Sequence, residues 1–410
     1  MKVLVLYDYP PSPGGLATQG DLLYKGLLEL GVDAHAVHFE SAQEKEWYYR
    51  WFVPDVVAGI GYWGHTAHLA MHPMRYGVRP VPWLVADGYM ANYRQVLEKL
   101  PLVLVTSEWV KQVFQRDGLR GDIMEVLPVG CDCDTFIPRD RNDPKVRAVR
   151  EALGVADDQL MILTVGGDAA SKGAQEVMQA LALIDAKAPD WKYVCKVWPQ
   201  PRTEQQNLAD MQLATDLGIE KNMIYASSRV SRNYMPYLIA ACDIYAAPSR
   251  LEGFGMPQIE AGACGRPVIG IKAMGMLDTL VHNETALLAG VAQEVLLRET
   301  IVGEDQGYKN GHRIVFKRPR LVDYRASVYD IAEYLLALMK KPELRASMGE
   351  AGRKRVVERY DYRVVARRFL EIVSRRLGVA GEGERPVASS QTARPQNATP
   401  QAASAPPHTA

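Results

Sequence analysis

Short apolar runs of four to six residues recur along this chain, each stopping at a loop and followed by a helix-like pattern. The first is Lys2–Tyr7 (KVLVLY), which halts at Asp8 and the cluster Pro10, Pro11, Pro13, Gly14 and Gly15. Leu22, Leu23, Leu27, Leu28 and Leu30 then follow at helical spacing up to Gly31. A run that is apolar throughout, rather than alternating, predicts a strand buried on both faces, as in parallel sheets with helical crossovers. Similar runs at 34–39, 56–60, 81–86, 102–106 and 123–127 make one series. After a turn-rich stretch at 128–144 and a short helix near 145–153, a second series begins, at 160–165, 192–197, 223–226, 244–247 and 267–270. The expectation is an α/β protein of two Rossmann-like domains, 1–150 and 151–359, with parallel sheets facing across a cleft. Ligands of such folds bind outside the carboxyl ends of the strands.

At 410 residues the chain is long enough for two to three domains. Its 48 Lys and Arg balance 48 Asp and Glu, so no global field draws nucleic acid or an anionic membrane. An anionic ligand must be held by local geometry. No apolar run approaches the roughly 20 residues that span a bilayer, and the N-terminus lacks the apolar core of a signal peptide, which points to the cytoplasm. The five cysteines, Cys131, Cys133, Cys195, Cys242 and Cys264, form no CxxC pair, and buried thiols are expected. Cys131 and Cys133 have no His or Cys partners at zinc spacing, so no metal site is expected. Residues 381–410 contain no aromatic, Leu or Ile residue and only Val387, a composition that predicts a disordered tail. The glycine-rich, basic stretch 300–325 reads as a solvated insertion, with an acceptor-binding or assembly element as the alternative.

The segment 248–270, PSRLEGFGMPQIEAGACGRPVIG, carries the most chemistry. Gly253, Gly255 and Pro257 leave Glu252 on a loop, while Pro257 to Gly265 outlines a short helix bearing Glu260. Free amides at that helix start suit an anion, and the two carboxylates can accept hydrogen bonds from sugar hydroxyls. Two acids eight residues apart, taken by themselves, favour a solvated pair.

This segment resembles the signature E-G-F-G-x-P-x-x-E of retaining glycosyltransferases of family 4, here Glu252 to Glu260. LIAACDIYAAPS before it, TLVHNETALLAG after it, and LVTSEWVKQVF and MEVLPVGCDCDTFIP upstream resemble the same family, as does the closing ELRASMGEAGRKRVVERYDYRVVARRFLEI. The resemblance covers about residues 1–378. It implies the GT-B fold, with a last helix at about 360–378 crossing back to the N-terminal domain. It also implies a nucleoside diphosphate sugar on the C-terminal domain and a hydroxyl acceptor, a sugar, lipid or small metabolite, on the N-terminal one. Glu252 would contact donor sugar hydroxyls, Glu260 the ribose diol, and Phe254 and Gly255 the sugar, while Gly14 and Gly15 match the family's N-terminal glycine loop.

Two departures stand out. The phosphate-binding segment GGDAASKG (166–173) keeps Lys172 but has Gly167 where the family usually has Arg. Lys196 or Arg202 in CKVWPQPR supplies the second cation, or Lys172 and helix N-termini suffice, or the site is impaired. Asp87-Gly88 stands where the family often has His-Gly; Asp87 either faces the sugar or forms a turn. His65 and His68 would share a face on a helix, partly buried, with His65 a candidate acceptor contact.

The reaction implied is transfer with the anomeric configuration kept, without metal or organic cofactor, with Lys172, Glu252 and Asp87 as catalytic candidates. Alternatives are a catalytically weak sugar-nucleotide binding protein, or another GT-B enzyme such as an epimerase or phosphorylase. Residues 353–376 hold nine basic against three acidic residues, which suits either a solvated helix face or peripheral contact with the inner face of the membrane.

Overall fold

In the computed structural model, which describes residues 1–379 apart from 87 and 200, the two series of runs form two six-stranded parallel sheets. The first holds β1 (Lys2–Tyr7), β2 (Asp33–His38), β3 (Val56–Tyr62), β4 (Pro80–Val85), β5 (Val103–Val105) and β6 (Met124–Val126), ordered 2-1-3-4-5-6. The second holds β7 (Leu160–Val165), β8 (Trp191–Lys196), β9 (Met223–Ala226), β10 (Ile244–Ala246), β11 (Val268–Ile271) and β12 (Ala286–Ala289), ordered 12-11-10-7-8-9. Val3 to Tyr7 are fully buried because helices cover both faces of the sheet, and each such side chain contributes about 1.5–3 kcal/mol. The segment 381–410 lies outside the described residues.

The chain passes between the halves twice, and the two passes touch. Cys131 N donates to Tyr360 O at 2.6 Å, and Tyr362 N donates back to Cys131 O at 3.1 Å. The Arg353 guanidinium joins the same crossing to the second half through Cys133 O (2.9 Å), Phe136 O (2.6 Å) and Ala263 O (3.0 Å). Helix Tyr362–Leu377 then lies on helix Gly15–Glu29 so closely that a Cβ at Gly26 would stand 2.7 Å from that of Ala366. Helix Pro144–Ala152 is tied to the second half by the buried Arg150, which donates to Ala241 O (2.9 Å), Ala156 O (3.0 Å) and Gln159 O (2.7 Å).

Five of the nine basic residues of 353–376 have protein partners: Arg353 as above, Arg355 on Thr279 O and Asp278 O, Arg363 on Glu29 and Asp361, and Arg375 and Arg376 on Glu125. Much of that charge joins helices to the body of the protein. His65 and His68 do not sit on one α-helix: His65 ends a 3-10 turn (Trp63–His65) and His68 lies in a π turn (Ala67–Met71).

The solvated insertion expected at 300–325 is instead part of a long antiparallel hairpin. Its strands are β13 (Val291–Val302) and β14 (His312–Ala326), leaving from β12 and returning into helix Val328–Lys340. Both strands are edges, so Pro319 within β14 costs no ladder bond that a central strand would need.

Candidate active site

The loop after β7, residues 166–173, lies at the carboxyl end of the second sheet. Gly173 has φ +81°, and a Cβ there would come within 2.4 Å of Pro248 O, so the loop rests directly on the segment after β10. Arg250 N donates to Ser171 O (3.0 Å), and the Arg250 guanidinium holds Glu176 and Gln175 beneath the loop. This packing brings Lys172 to Glu252, Nζ to Oε2 at 2.6 Å, although 80 residues separate them. Their side chains are 21% and 16% exposed, so the pair is largely shielded but open to a ligand.

After Glu252 the backbone is shaped by glycines. Gly255 has φ +89°, a left-handed backbone that glycine adopts without strain, and a Cβ there would meet Met276 Cε at 2.1 Å. It precedes helix Met256–Ala263, whose Pro257 in the first turn and free amides follow the pattern of an N-terminus open to an anion. Phe254 is buried edge-on against Tyr360, with centroids 5.8 Å apart. Glu260, on the helix and 4% exposed, receives Arg232 NH2 at 2.5 Å, and that guanidinium lies 4.7 Å over the Phe136 ring.

The first domain meets this segment directly. Ser107 Oγ donates to Gly253 O (2.7 Å), Glu108 N donates to Asp278 Oδ1 (3.2 Å), and a Cβ at Gly15 would lie 3.8 Å from Met256 Sδ. Helices Gly15–Glu29 and Met256–Ala263 thus begin beside one another across the cleft, with Gly14 capping the first. Their amide ends are the positive poles of two helices.

The remaining candidates are distributed as follows. Lys196 is buried, its Nζ donating to Val197 O at 2.9 Å, and burial lowers its pKa. Arg202 is in helix Pro201–Asp216, and its side chain lies outside the described residues, as does Asp87 altogether. His65 stacks on Phe39 (4.7 Å) and meets Tyr62 edge-on (4.4 Å). Burial, reinforced by His68, brings its pKa down to about 4, so it is neutral at neutral pH. Two neighbours were missed by the sequence analysis. Arg232 sits in a loop with no motif around it. Trp198 donates its backbone N–H to Gly167 O (3.0 Å) and lays its indole 3.8 Å from where a Cβ at 167 would be.

Fold and site together define a two-domain GT-B architecture. Residues 145–301, which carry Lys172, Glu252 and Glu260, match the family Glycosyl transferases group 1. The chain is 29% identical over 285 residues to D-inositol 3-phosphate glycosyltransferase of Mycobacterium tuberculosis H37Rv, covering 68% of this chain and 54% of that protein. It thus spans about half the length of the curated relatives it matches. Among solved structures, HepE of Anabaena in complex with UDP and glucose superposes with a TM-score of 0.67 at 18% identity, over 92% of this chain and 100% of that one. Sucrose-phosphate synthase of Thermosynechococcus elongatus does so with 0.68 at 16% identity, over 91% and 98%. These likenesses are of fold. No helix of the described residues is long and apolar enough to cross a membrane.

Proposed function

We propose that this chain is a retaining glycosyltransferase of family 4 that moves a hexosyl group from a nucleoside diphosphate sugar to an acceptor hydroxyl without a metal. The observation that carries this reading is the Lys172–Glu252 pair at 2.6 Å, set between a phosphate-type glycine loop and two helix N-termini. A cation, two amide clusters and a carboxylate in one cleft match a diphosphate joined to a polyhydroxylated sugar.

On this reading the acceptor oxygen bonds to the anomeric carbon on the face from which the diphosphate departs. The bond from that carbon to the phosphate oxygen breaks, and the departing phosphate takes the acceptor's proton. The protein supplies positioning and charge more than acid/base chemistry. Lys172 and the amides of helices Gly15–Glu29 and Met256–Ala263 balance the charge on the leaving group, which makes a second cation at 167 unnecessary. Glu252 accepts from the sugar hydroxyls once Lys172 turns to the phosphate. Glu260 takes the ribose diol in competition with Arg232, and neutral His65 stands on the acceptor side; the role of Asp87 in facing the sugar rests on the sequence alone.

The test is nucleotide release from UDP-, GDP- and ADP-sugars with a panel of acceptors. Inositol 3-phosphate belongs in the panel because it is named for the mycobacterial relative, and UDP-glucose because the HepE structure holds UDP and glucose. Acceptor-dependent release supports the reading; binding without release in any combination supports a sugar-nucleotide binding protein instead.

A further inference from the structure

The hairpin β13–β14 is rooted at both ends in the second domain yet docks on the first. At its root Tyr324 N donates to Arg250 O (2.8 Å) and Arg325 reaches Glu176 at 3.5 Å, directly beneath the phosphate loop. At its tip Tyr308 Oη donates to Ala91 O (2.7 Å), Asn92 Nδ2 to Gln306 O (3.0 Å) and Tyr62 Oη to Asp305 Oδ2 (3.1 Å). Between them, Tyr89 lies 3.3 Å by its hydroxyl from Thr300 Oγ1 and edge-on to Phe316 at 5.2 Å. Arg320 approaches Asp117 at 2.9 Å, and the same carboxylate, 1% exposed, accepts from Met90 N at 2.7 Å. Gly88 has φ +84°, and a Cβ on it would stand 3.1 Å from Val322.

Apart from Asp117, every first-domain residue in these contacts ends β3 or follows β4, at the carboxyl end of that sheet. The hairpin therefore lies on the same loops that a cleft ligand would meet. Rotation of the two domains about the crossing at 131 and 360–362 would have to break all of the hairpin's contacts with the first domain at once. A solvated flap would make few of them.

We propose that the hairpin is an interdomain clasp that fixes loop 88–93 against the phosphate loop, and that Phe316 and Arg320 are positioning residues for the transfer reaction. The clasp itself stands on the contacts alone; its effect on turnover rests on the glycosyltransferase reading. Reaction between two domains requires both to be held within a fraction of an ångström of the productive geometry, and a 1 Å misplacement costs on the order of 100-fold in rate.

The experiment uses the full chain with two variants. In one, 298–319 are replaced by Asn-Gly, closing the hairpin between Leu297 and Arg320, which face each other in the ladder. In the other, Phe316→Ala and Arg320→Ala are combined in an intact hairpin, which covers the case that the truncation misfolds. Spin labels are placed at Glu44→Cys and Lys187→Cys, one on each domain; the five native cysteines are buried and stay unlabelled. Without nucleotide, the intact hairpin should give one narrow distance distribution, and both variants a broader one reaching longer distances. Distributions as narrow as the parent's in both variants would overturn the clasp.

With the glucose donor, UDP-, GDP- or ADP-linked, that stabilises the parent, the slow transfer to water should fall in the truncated form by on the order of 100-fold. The same nucleotide should still raise its melting temperature. Broadened distances with unchanged transfer to water would overturn the positioning role. A parent that no nucleotide stabilises would instead sink the donor-site reading, while the distance data would still decide the clasp.

Discussion

Lys172→Ala separates the structural from the chemical work of the central ion pair. In the free protein Lys172 Nζ meets Glu252 Oε2 at 2.6 Å, with both side chains less than a quarter exposed. A hydrogen bond between charged groups is worth about 1.5–3 kcal/mol net, so the variant should lose about that much in urea denaturation, because Glu252 is left without its partner. Glu252→Ala should cost a similar amount, and the double variant less than the sum, because it leaves no unpaired charge. Turnover should behave differently. Losing a preorganised group that meets developing charge costs about 10²–10³ in kcat, or about 2.7–4 kcal/mol, and nothing in the double variant restores it. Nucleotide release under saturating donor, beside denaturation curves of all three variants, checks this. Lys172→Ala turning over within threefold of the parent would refute the role assigned to Lys172, whatever its stability.

Other consequences follow from the same geometry. Gly255→Ala should cost about 1–2 kcal/mol for its left-handed backbone, the end of the Met276 side chain moving to admit the methyl, measured by urea denaturation. Gly167→Arg has room at Cβ beside Trp198, and turnover should change by less than about tenfold, or 1.4 kcal/mol, because the leaving charge is already balanced; a larger gain would show that a cation is missing. His65, with its pKa brought down to about 4 against about 6.5 unfolded, takes up its proton more readily in the unfolded chain. Its contribution to stability is complete above about pH 6.5 and declines as pH falls toward 4, so melting temperatures between pH 7 and 5 should fall less in His65→Phe than in the parent.

The buried strands and the glycine-started helices were legible because local pattern determines them. KVLVLY and LMILTV are apolar at nearly every position, are too short for a buried helix, and recur before helix-like stretches, which together point to strands covered on both faces. The EGFG segment was legible too, since Gly255 and Pro257 dictate their own backbone. The hairpin was not. VAQEVLLRETIV and HRIVFKRPRLVDYRA are half polar, and Pro319 argues against a strand unless the strand is an edge. Its partners, Asp117 and the loop after β4, lie about 200 residues away, and no local spacing signals such a contact. Arg232 on Glu260 and Trp198 over Gly167 escaped for the same reason: each is a single residue in an unpatterned loop whose place depends on how distant strands end side by side. The histidine pair misled because a 3-10 turn and a π turn break the period that their spacing assumes.

The central claim is that a nucleoside diphosphate sugar occupies the cleft beside Lys172, Glu252 and Glu260. Thermal melting of the intact chain with UDP-, GDP- and ADP-glucose tests it most directly. One of the three, at about a hundred times its dissociation constant, should stabilise the native state by about 2.7 kcal/mol, and Lys172→Ala and Glu260→Ala should each weaken that effect. No stabilisation by any nucleotide sugar, or stabilisation indifferent to both substitutions, would contradict the account.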